Sequence, residues 1–184
     1  IFILFAITIS NLLAQQNLSN MRWSSVVENQ PKEWYGTKEA IEIADNVLLY
    51  QRNVGGWPKN TPIHHQLSEK EKSKLNKLKK QGIETTIDNG ATYLELIYLS
   101  KVYNQTKIEK YKTAFLKGID YLLEAQYENG GWPQFYPLKR GYYTHITFND
   151  NAMINVLLVL KEVAAGGGKL ISIDDKTTIE KAQK

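Results

Sequence analysis

The chain has 184 residues, 42% hydrophobic and 11% aromatic, enough for one packed core of ordinary domain size. With 23 Lys+Arg against 19 Asp+Glu its formal charge is +4, compatible with an anionic partner but too mild to argue for nucleic acid. It has no cysteine, which excludes a disulfide framework and any thiolate metal site.

Residues 1–16, IFILFAITISNLLAQQ, form an uncharged apolar run of signal-peptide length, with Ala14 as the expected cleavage point. The run lacks an opening Met and a basic leader, and is short for a membrane span. It is read as the remnant of an export signal, with a single membrane anchor as the alternative. The mature protein is expected to be secreted, periplasmic or at the cell surface, without a membrane span. Residues 17–36 show no periodicity and are expected to form an irregular arm.

Thr37 is a natural helix start, followed by Ala40, Ile41, Ala44, Val47 and Leu48 on one amphipathic face. Gly55, Gly56 and Pro58 cannot continue that helix, which is expected to stop near Asn53. Ser68 and Glu71 have capping-box spacing and open a lysine-dominated segment through Lys80, read as a solvated surface helix. A helix is predicted over Asn89–Tyr103, apolar nearly all round and therefore buried on more than one side. Two more are predicted over Ile108–Gln126 and Asn151–Ala165, the first ended by Asn129-Gly130-Gly131 and the second by Gly166-Gly167-Gly168. Thr177 and Glu180 repeat the capping-box spacing and open a further helix. The sequence is expected to be cut at both ends, with 37–184 as the N-terminal part of a single all-α domain.

A duplication organises these helices. Gly55-Gly56-Trp57-Pro58 recurs as Gly130-Gly131-Trp132-Pro133, 75 positions on, and Asp88-Asn89 recurs as Asp150-Asn151, 62 positions on. Each unit reads helix, Gly-Gly-Trp-Pro, loop, Asp-Asn, helix, a period that suggests a solenoid or a ring of helix pairs. The bland reading of each aspartate is an N-cap. Two carboxylates meeting at one mouth suit a hard cation such as calcium, favoured slightly by the neighbouring amides of Asn89 and Asn151. They equally suit an acid and base pair for glycoside hydrolysis. Trp57 and Trp132 are either packing plugs at helix corners or platforms for a sugar ring. Tyr142 and Tyr143, with polar neighbours, are expected to be exposed. His64-His65 and His145 have no zinc-like spacing.

The segments NVGGWPKN at 53–60, TIDNGAT at 86–92 and YENGGWPQFYPLKRGYYTHITFNDNAM at 127–153 resemble the pectate lyases of polysaccharide lyase family 10. The likeness covers about residues 41–165. It implies an incomplete (α/α) toroid with a long groove and calcium-dependent β-elimination of polygalacturonate. It further implies Asp88 and Asp150 as calcium ligands, with Asn89 beside them. Asn89, Lys59, Tyr142, Tyr143 and His145 are the substrate-binding residues expected with it, and Trp132 joins them as the sugar platform. The family's proton-abstracting base is an arginine whose motif position is not that of Arg140, so no catalytic residue is expected within this chain. The chain alone is therefore expected to be inactive, monomeric and a weak calcium binder. The alternatives are an inverting glycoside hydrolase using Asp88 and Asp150, and a non-catalytic helical module that binds acidic polysaccharide.

Overall fold

The computed structural model of the chain describes residues 18–81, 84–146, 148–166, 168–172 and 176–183. The export signal expected over 1–16 lies outside these residues. Among the described residues the α-helices are α1 (Trp23–Glu28), α2 (Lys38–Tyr50), α3 (Glu69–Leu78), α4 (Tyr93–Thr106), α5 (Glu109–Ala125), α6 (Ala152–Ala164) and α7 (Lys176–Ala182). Short 3-10 turns join them, and isolated bridges take the place of strands among the described residues. No helix among them is long and apolar enough to cross a membrane.

The helix periods read from the sequence hold because each apolar stripe finds a partner. Thr37 caps α2, its side chain accepting from the Ala40 amide at 3.3 Å, and Ala40, Ile43, Ala44, Val47 and Tyr50 are buried. The Ser68–Glu71 capping box is fully formed at the start of α3, which buries only Leu75. Central to the core is α4, which packs against α1, α2, α5 and α6 and therefore buries residues on several sides. Ala152, Met153, Val156, Leu160 and Val163 of α6 face inward, while Ile154, Leu157 and Leu158 on its other side are 51%, 45% and 55% exposed.

The arm expected to be irregular contains α1 and the 3-10 turn Lys32–Gly36. Six residues are too few to show a period, yet Val26 and Val27 are fully buried there. Trp23 fixes this arm to α4 by donating its Nε1–H to Glu95 Oε1 at 2.7 Å.

Candidate functional site

The two Gly-Gly-Trp-Pro copies have the same local structure. Trp57 Nε1 donates to the Val47 carbonyl at 2.8 Å, and Trp132 Nε1 donates to the Leu122 carbonyl at 2.7 Å. Each indole reaches ten residues back into the helix it follows, and the two rings are 0% and 1% exposed. Glycine is required before each: a Cβ on Gly56 would stand 2.6 Å from the Tyr121 ring, and one on Gly131 2.3 Å from Ile146. Both tryptophans are plugs. Trp132 is thus corrected as a substrate platform, because its ring is enclosed and its polar tip is spent on the backbone.

These plugs anchor short extended segments that lie side by side. Pro58 bridges Thr85, Thr86 bridges Phe135, and Pro133 bridges Ile146. Gln134 ties three of the segments together: its carbonyl accepts from the Thr86 hydroxyl at 2.5 Å and the Ile87 amide at 3.3 Å, and its amide donates to the Tyr143 carbonyl at 3.0 Å.

The bridges also revise the register of the duplication. Ile87, Asp88 and Asn89 share backbone conformation with Phe148, Asn149 and Asp150, a shift of 61 positions rather than 62. Asn89 (φ 51°, ψ 35°) matches Asp150 (φ 52°, ψ 26°), so Asp88 corresponds to Asn149. The equivalent bridges Pro58–Thr85 and Pro133–Ile146 confirm that shift independently. The first loop is longer because it carries α3.

Asp88 is the buried centre of the resulting cluster, at 3% exposure. Its Oδ2 accepts from Lys59 Nζ and from Gln134 Nε2 at 2.5 Å, and its Oδ1 accepts from Asn149 Nδ2 at 3.3 Å. The same Asn149 amide reaches Asp150 Oδ2 at 3.4 Å, so one amide spans both carboxylates. Burial pushes the Asp88 carboxyl up. The hydrogen bonds from Lys59 and Gln134 and the Lys59 charge outweigh it and hold the group below the ordinary carboxylate range. Neither aspartate caps the following helix: the residues preceding α4 and α6 are Thr92 and Asn151, and neither side chain makes a capping bond. Thr92 is buried at φ 71°, a strained conformation for a β-branched residue. Its Oγ1 accepts from the Trp57 amide at 3.2 Å and donates to the Thr86 carbonyl at 2.9 Å. The loop layer therefore over-determines that strain.

Aromatic and cationic groups surround the cluster. Phe135 is nearly buried, with Lys59 Nζ 5.5 Å and Lys139 Nζ 4.8 Å from its ring centroid. Tyr143 stands edge-on to Phe135 with centroids 5.2 Å apart, and Tyr142, 60% exposed, lies over Tyr143 at 4.0 Å. Asn89 Nδ2 donates to Asn60 Oδ1 at 3.2 Å on the exposed rim. The structure thus brings together Lys59, Asp88 and Asp150, with Tyr142 and Tyr143 around Phe135. His145 is exposed after the Tyr142–Thr144 turn, and among the described residues its ring bonds to none of the cluster.

Gln134 and Asn149 were not singled out by sequence reasoning. Neutral amides in loops have no spacing signature. The one signal for Asn149 was the alternative alignment of TIDNGA with TFNDNA. The two carboxylates are the oxygen ligands a hard cation takes, while the Gln134 and Asn149 amides facing them present N–H groups. No group of three or more acidic or histidine side chains that could hold a metal forms among the described residues, so such a cation would need oxygens from elsewhere. A cleft of about 1170 Å³ between α2 and α3 shares no lining residue with the cluster. Its lysines Lys38, Lys72 and Lys110 are each paired with an acid.

The pectic acid lyase family model matches residues 51–184. A solved family 10 polysaccharide lyase from Cellvibrio cellulosa is 33% identical, with a TM-score of 0.63 over 87% of this chain and 45% of that one. A mutant of a family 10 polysaccharide lyase from the same organism, in complex with trigalacturonic acid, is 34% identical, with a TM-score of 0.62 over 88% of this chain and 49% of that one. No match is found among curated proteins. The chain spans about half the length of these solved structures, and shares their helical toroid fold. With a family model covering more than half of its residues and relatives at this identity, the chain belongs to the pectic acid lyase family.

Proposed function

We propose that this chain forms the cation-holding and substrate-binding wall of a calcium-dependent pectate lyase that cleaves polygalacturonate by β-elimination. The carrying observation is that the Asp88 and Asp150 carboxylates converge on the single amide of Asn149. Asp88 and Asp150 would hold calcium, with the amide oxygen of Asn89 as the protein's further share of a shell of about six to eight oxygens. When bound, the cation neutralises a uronate carboxylate and stabilises the enolate-like charge formed when the neighbouring carbon loses its proton. Lys59 and Lys139 supply positive charge for further uronates, and Tyr142 and Tyr143 supply faces for sugar rings. His145, exposed after the Tyr142–Thr144 turn, would meet the substrate outside the cluster. Proton abstraction is assigned to none of these residues.

Two other readings are weaker. A hydrolase would use the lowered Asp88 as its base and would need Asp150 as its acid, and a chelator would leave it active. A non-catalytic binding module would use the same cluster to bind acidic sugar, and only product formation by the full-length protein separates it from a lyase. In this proposal the export signal expected over 1–16 would direct the protein outside the cytoplasm, to act as a monomer on pectic oligosaccharides.

Calorimetry of trigalacturonate binding tests the proposal. Binding should require calcium and fall about tenfold or more with chelator or in Asp88→Asn, a loss of about 1.4 kcal/mol or more. Affinity indifferent to both changes would overturn it.

A further inference from the structure

We propose that Lys59 is a built-in stand-in for the metal, occupying Asp88 in the resting chain and moving to a substrate uronate when the divalent cation arrives. This rests on the calcium reading above and extends it to how the two ligands are coupled.

Asp88's side chain is only 4% exposed, and an ionised carboxylate buried without a counter-charge is strongly destabilising. The resting chain therefore needs a cation at that position. Lys59 supplies it from the residue after Pro58, whose backbone is pinned by the bridge to Thr85. Among the described residues, every side chain bonded to the Asp88 carboxylate presents a hydrogen-bond donor: Lys59 and Gln134 on Oδ2, Asn149 on Oδ1. Donors stabilise the bare anion, but they occupy the lone pairs a metal ion uses. A divalent cation between Asp88 and Asp150 would also repel an ammonium held against the same oxygen.

Lys59 has a way out. Its side chain is 28% exposed, against 4% for Asp88, and its ammonium rests over the edge of the aromatic group formed by Phe135, Tyr143 and Tyr142. A uronate bound along those rings offers it a second carboxylate. Metal and acidic sugar then favour each other's binding, because each removes the cost of displacing Lys59 from Asp88. That coupling is reciprocal, so the sugar must tighten the metal as much as the metal tightens the sugar.

Terbium luminescence sensitised by Tyr142 and Tyr143, checked by calcium calorimetry, measures this in the 184-residue chain with and without trigalacturonate. Asp88→Asn identifies the signal belonging to the site. Lys59→Gln and Lys59→Met should bind metal about tenfold more tightly than wild type without sugar. The gain in metal affinity on adding trigalacturonate should shrink by a similar factor. Helical circular dichroism confirms that each variant is folded, and either variant suffices. Unchanged or weaker metal affinity in a folded Lys59 variant, with binding still dependent on Asp88, would overturn the stand-in role while leaving the calcium reading intact. No Asp88-dependent binding in any form would overturn the calcium reading, and this inference with it.

Discussion

Trp132 shows how one residue type in one motif can carry two opposite roles until burial decides between them. A Trp between a diglycine and a proline fits a sugar platform as well as a plug. The enclosing contacts that decide it come from Leu122, ten residues earlier, and from the distant packing of Ile146 against Gly131. Trp132→Phe should therefore cost about 2–4 kcal/mol of folding stability, from lost ring volume and an unsatisfied Leu122 carbonyl. Trigalacturonate affinity of the folded variant should not change. A variant as stable as wild type that binds sugar poorly would restore the platform role. The acidic residues were more legible: Asp88 and Asp150 stood out because a carboxylate beside an amide recurs in the sequence. Gln134 and Asn149 did not, because their importance is purely three-dimensional, lying in which carboxylate each amide reaches.

At the level of elements, the helices were readable because apolar residues at a 3.6-residue period have one physical explanation, a buried face. Boundaries agreed within a few residues wherever a cap or a glycine ended the pattern, as at Thr37 and Ser68. The loops were less readable, since identical letters suggested a shift of 62 while backbone conformation and bridging require 61. The short α1 was missed for want of length, yet its attachment to α4 has a testable chemical consequence. Burial pushes Glu95 up to about 7 from 4.5, and its Oε2 has no partner among the described residues. The folded chain thus holds a proton that the unfolded chain releases near 4.5. The contribution of Glu95 to stability is full below that point and is lost, by about 3 kcal/mol, as pH rises through about 7. Glu95→Gln keeps an acceptor for Trp23 and removes the ionisation. Its denaturation midpoint should lack this decline, matching wild type in acid and exceeding it in mild alkali. Parallel pH profiles for the two proteins would show that Glu95 is not the group responsible.

Across the whole molecule, the helices act as a rigid frame that sets four extended segments edge to edge, and the cluster exists only because both repeats contribute to it. Asp88 comes from the first copy; Gln134, Asn149 and Asp150 come from the second. Such a wall can position an acidic sugar, but β-elimination also needs a group free to take a proton from carbon. Lys59 is engaged with Asp88, and Lys139 sits over the faces of Phe135 and Tyr143. Hydrogen bonding with Tyr143 raises Tyr142 further above neutrality, which leaves less of the phenolate that could take a proton. Arg140 is exposed, with no carboxylate paired to it among the described residues, and His145 stands outside the cluster. With Lys59 and Lys139 engaged and no other basic side chain bonded into the cluster among the described residues, this chain should release no unsaturated product from polygalacturonate, even in alkaline buffer with excess calcium. The assay is the ultraviolet absorbance of the conjugated enoate that β-elimination leaves on the new non-reducing end. Growth of that absorbance would mean that a residue in this wall can serve as the base. His145→Ala, Arg140→Ala and Lys139→Ala would then identify it by which substitution abolishes the signal.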